Sequence, residues 1–417
     1  MFRYVSRGAD VVKKVDTSAR VVYDYAHYSS AEYFVKWTVF PKNIACNNGA
    51  SGSTENRFLT PIHLNEPQGK LEKMYNAETH FKNLYDTVPR QYEFHETTRE
   101  GLLTWQALFR PKLREILGLD NMESDLKGYV PKAEQLEVLD MDDHFRESWY
   151  LWVEPTVPLP FYLLRPKTFE GKVPLILAPH GHNPPHLYAG IAHTEAEEEH
   201  MLEGERDIAR QAAVEEGYIA IAPTTRAFGE TRTAADKQAN NTHSCRHQLV
   251  HCILVGRTPI GERVWDMSRL IDWAIADLPI DAERIAITGN SGGGTVSLFA
   301  AACDTRIAVA VPSCYFCTFE GSIGMIRHCE CNYVPGVMRL GEMYDVAGLI
   351  APRPFCAIAG QGDGIFPIDH VEFAYERLKT IYEVAGVADR CELFIGEGGH
   401  RYYKAGAWPF VRRYFAE

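Results

Sequence analysis

No stretch of the sequence reaches the roughly 18 consecutive apolar residues that a membrane-crossing helix requires. The opening MFRYVSRGADVVKKVD also lacks the apolar core of an export signal, so the chain reads as soluble, unexported and cytoplasmic, with no membrane partner. Positive charge is in deficit: 43 Lys and Arg stand against 55 Asp and Glu, a net charge of −12. That balance provides no electrostatic footprint for a nucleic-acid backbone, and small or neutral substrates become the expectation. Ten cysteines in 417 residues are too few for a disulfide scaffold, and most lie in apolar runs, where a reduced thiol acts as a small hydrophobe. No internal repeat is present. What remains is ordinary globular composition, 46% apolar and 24% charged, long enough for one large domain with an extension or for two domains.

From about Val173 onward, short runs rich in Val, Ile and Ala alternate with longer helical stretches, the pattern of βα units on a parallel sheet. The segments 173–179, 218–223, 284–288, 307–312, 354–359 and 391–395 are the predicted strands. Each is apolar throughout rather than alternating, which calls for helices on both faces: an α/β, doubly wound, mostly parallel sheet. The helix from Glu262 places Val264, Met267, Leu270, Ile271 and Ala274 on one stripe, and Asp369 to Ala385 reads the same way. Residues 134–166 predict an antiparallel pair that leads into the parallel half. Thr97 to Glu100 has capping-box spacing and opens a helix that Pro111 should break or kink before Gly118 ends it. Residues 1–94 show no sustained period and are expected to be an N-terminal extension, packed on the main domain of residues 95–417 or on a partner chain. Self-association into a homo-oligomer is left open.

The strongest chemical signal is Gly289-Asn290-Ser291-Gly292-Gly293, which fits G-x-S-x-G between an apolar strand and a small-residue helix. A sharp strand-to-helix reversal needs flanking residues without bulk, while its tip projects a hydroxyl over the strand ends. A phosphate-cradling loop is the alternative, but no G-K-[ST] follows, and no cofactor is expected. Serine is a weak nucleophile until a base, itself oriented by an acid, activates it. Asp363 follows the 354–359 strand and His400 follows the 391–395 strand, giving the order Ser291, Asp363, His400; Asp345 and Asp369 are rival acids that read better as helix caps or surface charges. An oxyanion hole needs two N–H donors. These are expected from the backbones of Gly292 and His182, with Gly181 as second choice for the latter. A metal on His180, His182 and His186 is disfavoured for want of a carboxylate at ligand spacing.

Two close cysteine pairs, Cys314-x-x-Cys317 and Cys329-x-Cys331, with His328 beside them, have the look of a zinc site. The tight C-x-C spacing and the position of the first pair at the end of an apolar strand favour structural thiols and no metal. The segments 224–258 and 313–350 both leave strand carboxyl ends and should wall the pocket; Arg246, His247 and Tyr315 are candidate contacts. Arg226 is expected in a structural salt bridge.

Taken together, VPLILAPHGH, TRAFGE, GRTPIGERVWDMSRLIDW, GNSGGG, IAPRP, GQGDGIFP and GGHRYY resemble the α/β-hydrolases of the acetyl xylan esterase and cephalosporin-C deacetylase type, over residues 95–417. The chain departs from that family at Arg226-Ala227-Phe228-Gly229, where members carry Arg-Gly-Gln-Gly, and at Gly292, where members carry Gln. The resemblance implies an α/β-hydrolase fold and a serine esterase acting on short-chain, acetyl esters of carbohydrates. A peptidase or amidase on the same fold, and a catalytically silent binding protein, are the other readings.

Overall fold

The computed structural model describes residues 76–416 in full and, upstream of them, the backbone of residues 10–15 and 19–24. The chain forms two compact units, Met1–Met74 and Tyr75–Glu417. In the first, strands β1 (Asp10–Val15) and β2 (Ala19–Asp24) pair antiparallel as a hairpin.

The second unit is built on nine strands: β3 (Lys132–Asp140), β4 (His144–Glu154), β5 (Val157–Pro166), β6 (Val173–Leu177), β7 (Ile219–Pro223), β8 (Ile280–Asn290), β9 (Val309–Ser313), β10 (Phe355–Gly360) and β11 (Cys391–Gly396). Their order across the sheet is β11-β10-β9-β8-β6-β7-β5-β4-β3. From β11 to β7 every pairing is parallel, and β5, β4 and β3 continue antiparallel. All six predicted strands are present, β8 beginning at Ile280, upstream of its apolar segment. The predicted antiparallel pair is a three-stranded meander. Its outermost strand, β3, is almost wholly exposed and carries Lys132, Glu134, Glu137 and Asp140, charges that discourage a free sheet edge from pairing with another chain.

Two-sided burial follows from the apolar strands. Leu175 and Leu177 of β6 and Ile285 and Ile287 of β8 enter one core cluster, while Ile176 and Ala286 enter the other. The first cluster is closed by helices Arg99–Leu117, Pro259–Asp277, Gly292–Cys303 and Ile368–Ala385, and the second by Ile208–Val214 and Lys404–Phe415. At about 1.5–3 kcal/mol for each large aliphatic side chain removed from water, these two layers hold the sheet flat-faced between helices. Among the described residues no helix is long and apolar enough to cross a membrane.

Thr98, rather than Thr97, caps helix Arg99–Leu117 by accepting from the Gly101 amide, and Gly118 ends it in the left-handed conformation. Pro111 does not interrupt the helix: the buried stripe of Phe109, Leu113 and Leu117 outweighs the one hydrogen bond that proline removes. Upstream, helix Ala77–Thr87 and residues 88–94 belong to the same unit. Lys82 pairs with Glu320 at 2.9 Å, the Gln91 amide donates to the Arg339 carbonyl at 2.9 Å, and the Phe94 amide donates to Asp345 at 3.0 Å. The boundary between units therefore falls at residues 74/75, not at 94/95.

Candidate active site

Strand order reverses at β6, with β7 on one side and β8 on the other. At such a reversal the loops from neighbouring strands part, leaving a crevice at the strand carboxyl ends. Ser291 follows β8 there with φ 59° and ψ −118°, a left-handed backbone that a serine holds only when its surroundings impose it. They do so through close packing. A Cβ on Gly289 or Gly293 would collide with the Pro179 carbonyl, and one on Gly294 would stand 2.6 Å from the Ser313 carbonyl. The Ser291 amide donates to Ser313 at 2.9 Å, which ties the turn to β9.

Asp363 and His400 stand beyond neighbouring strands. The β10–β11 ladder runs on into their loops, with Gln361 donating to Gly396 at 2.8 Å and Gly362 to Gly398 at 2.9 Å. As a result His400 Nδ1 lies 2.7 Å from Asp363 Oδ2. Asp363 Oδ1 accepts the amides of Ile365 and Phe366, and the side chain is 1% exposed against 29% for His400. Burial alone would raise the Asp363 carboxyl, but the His400 hydrogen bond and the two amides hold it below the ordinary aspartate value. Phe366 stacks on the imidazole at 5.8 Å between centroids.

Ser291, Gly292, His182 and His400 line one cavity of about 300 Å3, completed by Asn183, Arg206, Arg327, His328, Asn332 and Phe366 among others. Ser291 Oγ makes no hydrogen bond to another described residue, so its hydroxyl is available to the cavity; bonds of this kind tighten once substrate is in place. A larger cavity of about 520 Å3, between helix Ala77–Thr87 and residues 319–339, contains none of Ser291, Asp363 or His400 but shares Asn332 with the first.

The loop after β6 packs against the serine turn: a Cβ on Gly181 would stand 2.7 Å from the Asn290 carbonyl. The Gly181 amide is already committed to the Tyr188 hydroxyl at 3.1 Å, whereas no hydrogen bond engages the amides of His182 or Gly292 among the described residues. His180 is structural. Its Nδ1 donates to the Gly181 carbonyl at 2.6 Å and its Nε2 accepts from the Thr225 amide at 3.0 Å, and burial pushes its pKa down to about 3. Both ring nitrogens of His180 are thus engaged, His186 Nε2 lies 3.1 Å from Glu197, and among the described residues neither imidazole joins His182 in a group of converging ligand atoms.

Asp345 is buried and accepts amides of Phe94 and Glu342, and Asp369 sits in the first turn of helix Ile368–Ala385; neither meets His400. Arg226 makes the expected salt bridge, with Asp266 at 2.7 Å and Glu154 at 2.5 Å, all three buried. Of the candidate contacts, Tyr315 is buried beneath Phe366, and Arg246 and His247 do not line the cavity. Arg327 and Asn332, within the 313–350 segment expected to wall the pocket, do line it, as do Asn183 and Arg206 from outside both predicted segments, whereas no residue of 224–258 is among its lining. The two cysteine pairs come apart. Cys314 Sγ bonds the Arg401 carbonyl and Cys317 Sγ points to the Pro367 carbonyl, while Cys329 and Cys331 meet His182 and Cys245.

A serine-tipped turn at the crevice of a doubly wound sheet, with an Asp–His pair beyond the later strands, is the arrangement of the α/β-hydrolase fold. Residues 203–333 match the family model of acetyl xylan esterase (AXE1). The candidate hydrolase YtaP of Bacillus subtilis (strain 168) is 25% identical over 299 residues, 70% of this chain and 92% of its own. Among solved structures, a candidate acetyl xylan esterase from Bacteroides fragilis superposes with a TM-score of 0.62 at 18% identity, over 81% of this chain and 84% of that one. A glucuronoyl esterase from Solibacter usitatus superposes with a TM-score of 0.56 at 14% identity, over 78% and 96%.

Proposed function

We propose that Ser291, His400 and Asp363 form a catalytic triad that hydrolyses short-chain esters, acetyl esters of carbohydrates in the first instance, through an acyl-enzyme. Ser291 Oγ attacks the ester carbonyl carbon as His400 Nε2 takes the hydroxyl proton, and Asp363 keeps Nδ1 protonated and stabilises the imidazolium. The oxyanion receives the amides of Gly292 and His182, each donor contributing about 10²–10³ in rate. Collapse expels the alcohol, which leaves with the proton from His400. Water then adds to the acyl carbon, giving its proton to the same imidazole, which returns it to Ser291 Oγ as the acyl–oxygen bond breaks and the acid leaves.

The observation that carries this reading is the Asp363–His400 hydrogen bond of 2.7 Å at a cavity shared with a serine in a forced left-handed conformation. A volume of about 300 Å3 suits a small acyl group, and the polar lining from Arg206, Arg327, Asn183 and Asn332 suits a hydroxyl-rich alcohol better than a lipid chain. The acetyl xylan esterase match over residues 203–333 supports the same substrate class. Labelling with a fluorophosphonate followed by peptide mapping is expected to mark Ser291 alone, and a panel of acetylated sugars is expected to release acetate. A label on another residue, or turnover of aminoacyl anilides in preference to esters, would replace this assignment.

A further inference from the structure

Beside the cavity, three thiols and an imidazole converge from segments far apart in the chain. His182 comes from the loop after β6, Cys245 opens helix Cys245–Leu254, Cys329 caps the short turn Glu330–Asn332 and Cys331 lies within it. Their ligand atoms all lie within 4.8 Å of one another. Cys331 Sγ is 3.6 Å from His182 Nε2 and 3.5 Å from Cys329 Sγ, and Cys245 Sγ is 3.9 Å from His182 Nε2. We propose that these four side chains form a closed Cys3His zinc site, separate from the hydrolytic triad, that clamps the loop after β6 in place.

The spacing is what a tetrahedral ion requires. Zinc–sulfur bonds of about 2.3 Å and zinc–nitrogen bonds of about 2.0–2.1 Å put sulfurs about 3.8 Å apart and a sulfur and a nitrogen about 3.5 Å apart. A disulfide is a poorer account of the same atoms. It would bring two sulfurs to about 2.05 Å, and with three thiols in the cluster any pairing leaves one over. Simple packing is poorer still, because Cys245 and Cys331 are buried and hydrophobic packing gives no reason for an imidazole nitrogen to face both of them. The donor set, three thiolates and one imidazole, is that of a structural zinc site with no open coordination position.

Charge balance points the same way. Three thiolates around a dication leave one negative charge in a buried place, where an isolated charge is costly. Arg263 is buried there, with Nη2 3.7 Å from Cys245 Sγ, and neutralises it. His182 links the ion to the hydrolytic cavity. With Nε2 on the metal, its Nδ1 faces the serine turn, where a Cβ on Gly292 would stand 3.6 Å from it. The metal therefore fixes His182, itself a cavity residue, and joins it to Cys329 on the cavity wall and to Cys245 and Cys331 behind it.

The test is metal content, which does not depend on hydrolysis and so stands or falls apart from the esterase reading. Full-length protein purified without chelators and desalted after incubation with zinc is expected to keep one zinc per chain. X-ray absorption at the zinc edge should show three sulfurs and one nitrogen. Cys331→Ser and Cys245→Ser should lose at least ten-fold in bound zinc, whereas Cys356→Ser, on β10, should keep it. Should the thiol variants fail to fold, the wild type exchanged with cobalt(II) should show sulfur-to-cobalt charge-transfer absorption and the intense visible bands of a tetrahedral ion. Protein that takes up no zinc, a coordination shell without sulfur, zinc fully retained by Cys331→Ser, or a Cys329–Cys331 disulfide in anaerobically purified protein would each overturn the proposal.

Discussion

Asp363 holds His400 through a 2.7 Å hydrogen bond from a carboxylate whose other oxygen is occupied by two backbone amides. The carboxylate thus cannot rotate away from the imidazole without abandoning those amides, which fixes the tautomer that presents Nε2 to the cavity. Asp363→Asn would keep the shape and reverse the donor pattern. Turnover of a nitrophenyl ester is expected to fall by about 10⁴-fold with little change in KM.

The same residue makes a stability prediction. Its folded pKa lies below the unfolded value of about 3.9, so the stabilisation is in place above that value and drains away as pH falls toward the folded pKa. Urea midpoints measured from pH 5 downward should decline less steeply for Asp363→Asn than for the wild type. Equal slopes would mean that the bond adds nothing to the fold.

His180 acts in a higher window. Burial lowers its pKa to about 3, while in the unfolded chain it titrates near 6.5. Between those values the unfolded chain binds a proton that the folded one refuses, so stability is full above about 6.5 and falls by about 1.4 kcal/mol per pH unit as the solution is acidified. His180→Gln, which keeps a donor and an acceptor, should remove that slope in pH-dependent unfolding. Loss of the Gly181 and Thr225 contacts is also expected to lower kcat more than it raises KM, since the displaced backbone bears on the oxyanion side of the cavity.

Arg226 sits among Asp266, Glu154 and Glu262, buried with the first two of them. Arg226→Met leaves the buried Asp266 carboxylate without its cation, while Glu154 and Glu262 keep Arg257, and a loss of about 3–5 kcal/mol is expected by denaturant unfolding. Restoring most of that stability with a second change, Asp266→Leu, would identify the stranded charge as the cause; no recovery would point instead to packing by the guanidinium.

The parallel half of the sheet was legible because its strands are buried on both faces, which leaves unbroken apolar runs such as Leu175 to Leu177. The start of β8 was hidden for the opposite reason: Asp281 to Arg284 is polar and partly exposed, and its register with β6 is set by tertiary pairing. Strand β3 lay within the 134–166 segment read as an antiparallel pair, and its exposed edge, with no burial period, left the third strand uncounted. Asp363 and His400 could be read from chain order, since each stands just past an apolar strand. The cysteines could not. Adjacency in sequence suggested that 314 and 317 belong with 329 and 331, but Cys314 follows β9 at φ 47° and turns its thiol to Arg401, whereas Cys245, lying 84 residues before Cys329, completes the cluster. Arg327 lies in the 313–350 segment that the strand order placed at the pocket, but Arg206 reaches the cavity from a loop whose path no local pattern encodes.

Strand order has a further consequence for how such a molecule can change. Ser291 follows β8 and the Asp363–His400 pair follows β10 and β11, so the segment between β9 and β10 lies between them in the chain and packs on both, through Asn332 on Thr295 and Tyr315 on Phe366. That insertion contributes Arg327, His328, Cys329 and Asn332 to the cavity wall as one contiguous stretch. Any exchange of this segment accordingly changes the cavity wall and the cluster of Cys329 and Cys331 with His182 together, so the two evolve as one unit.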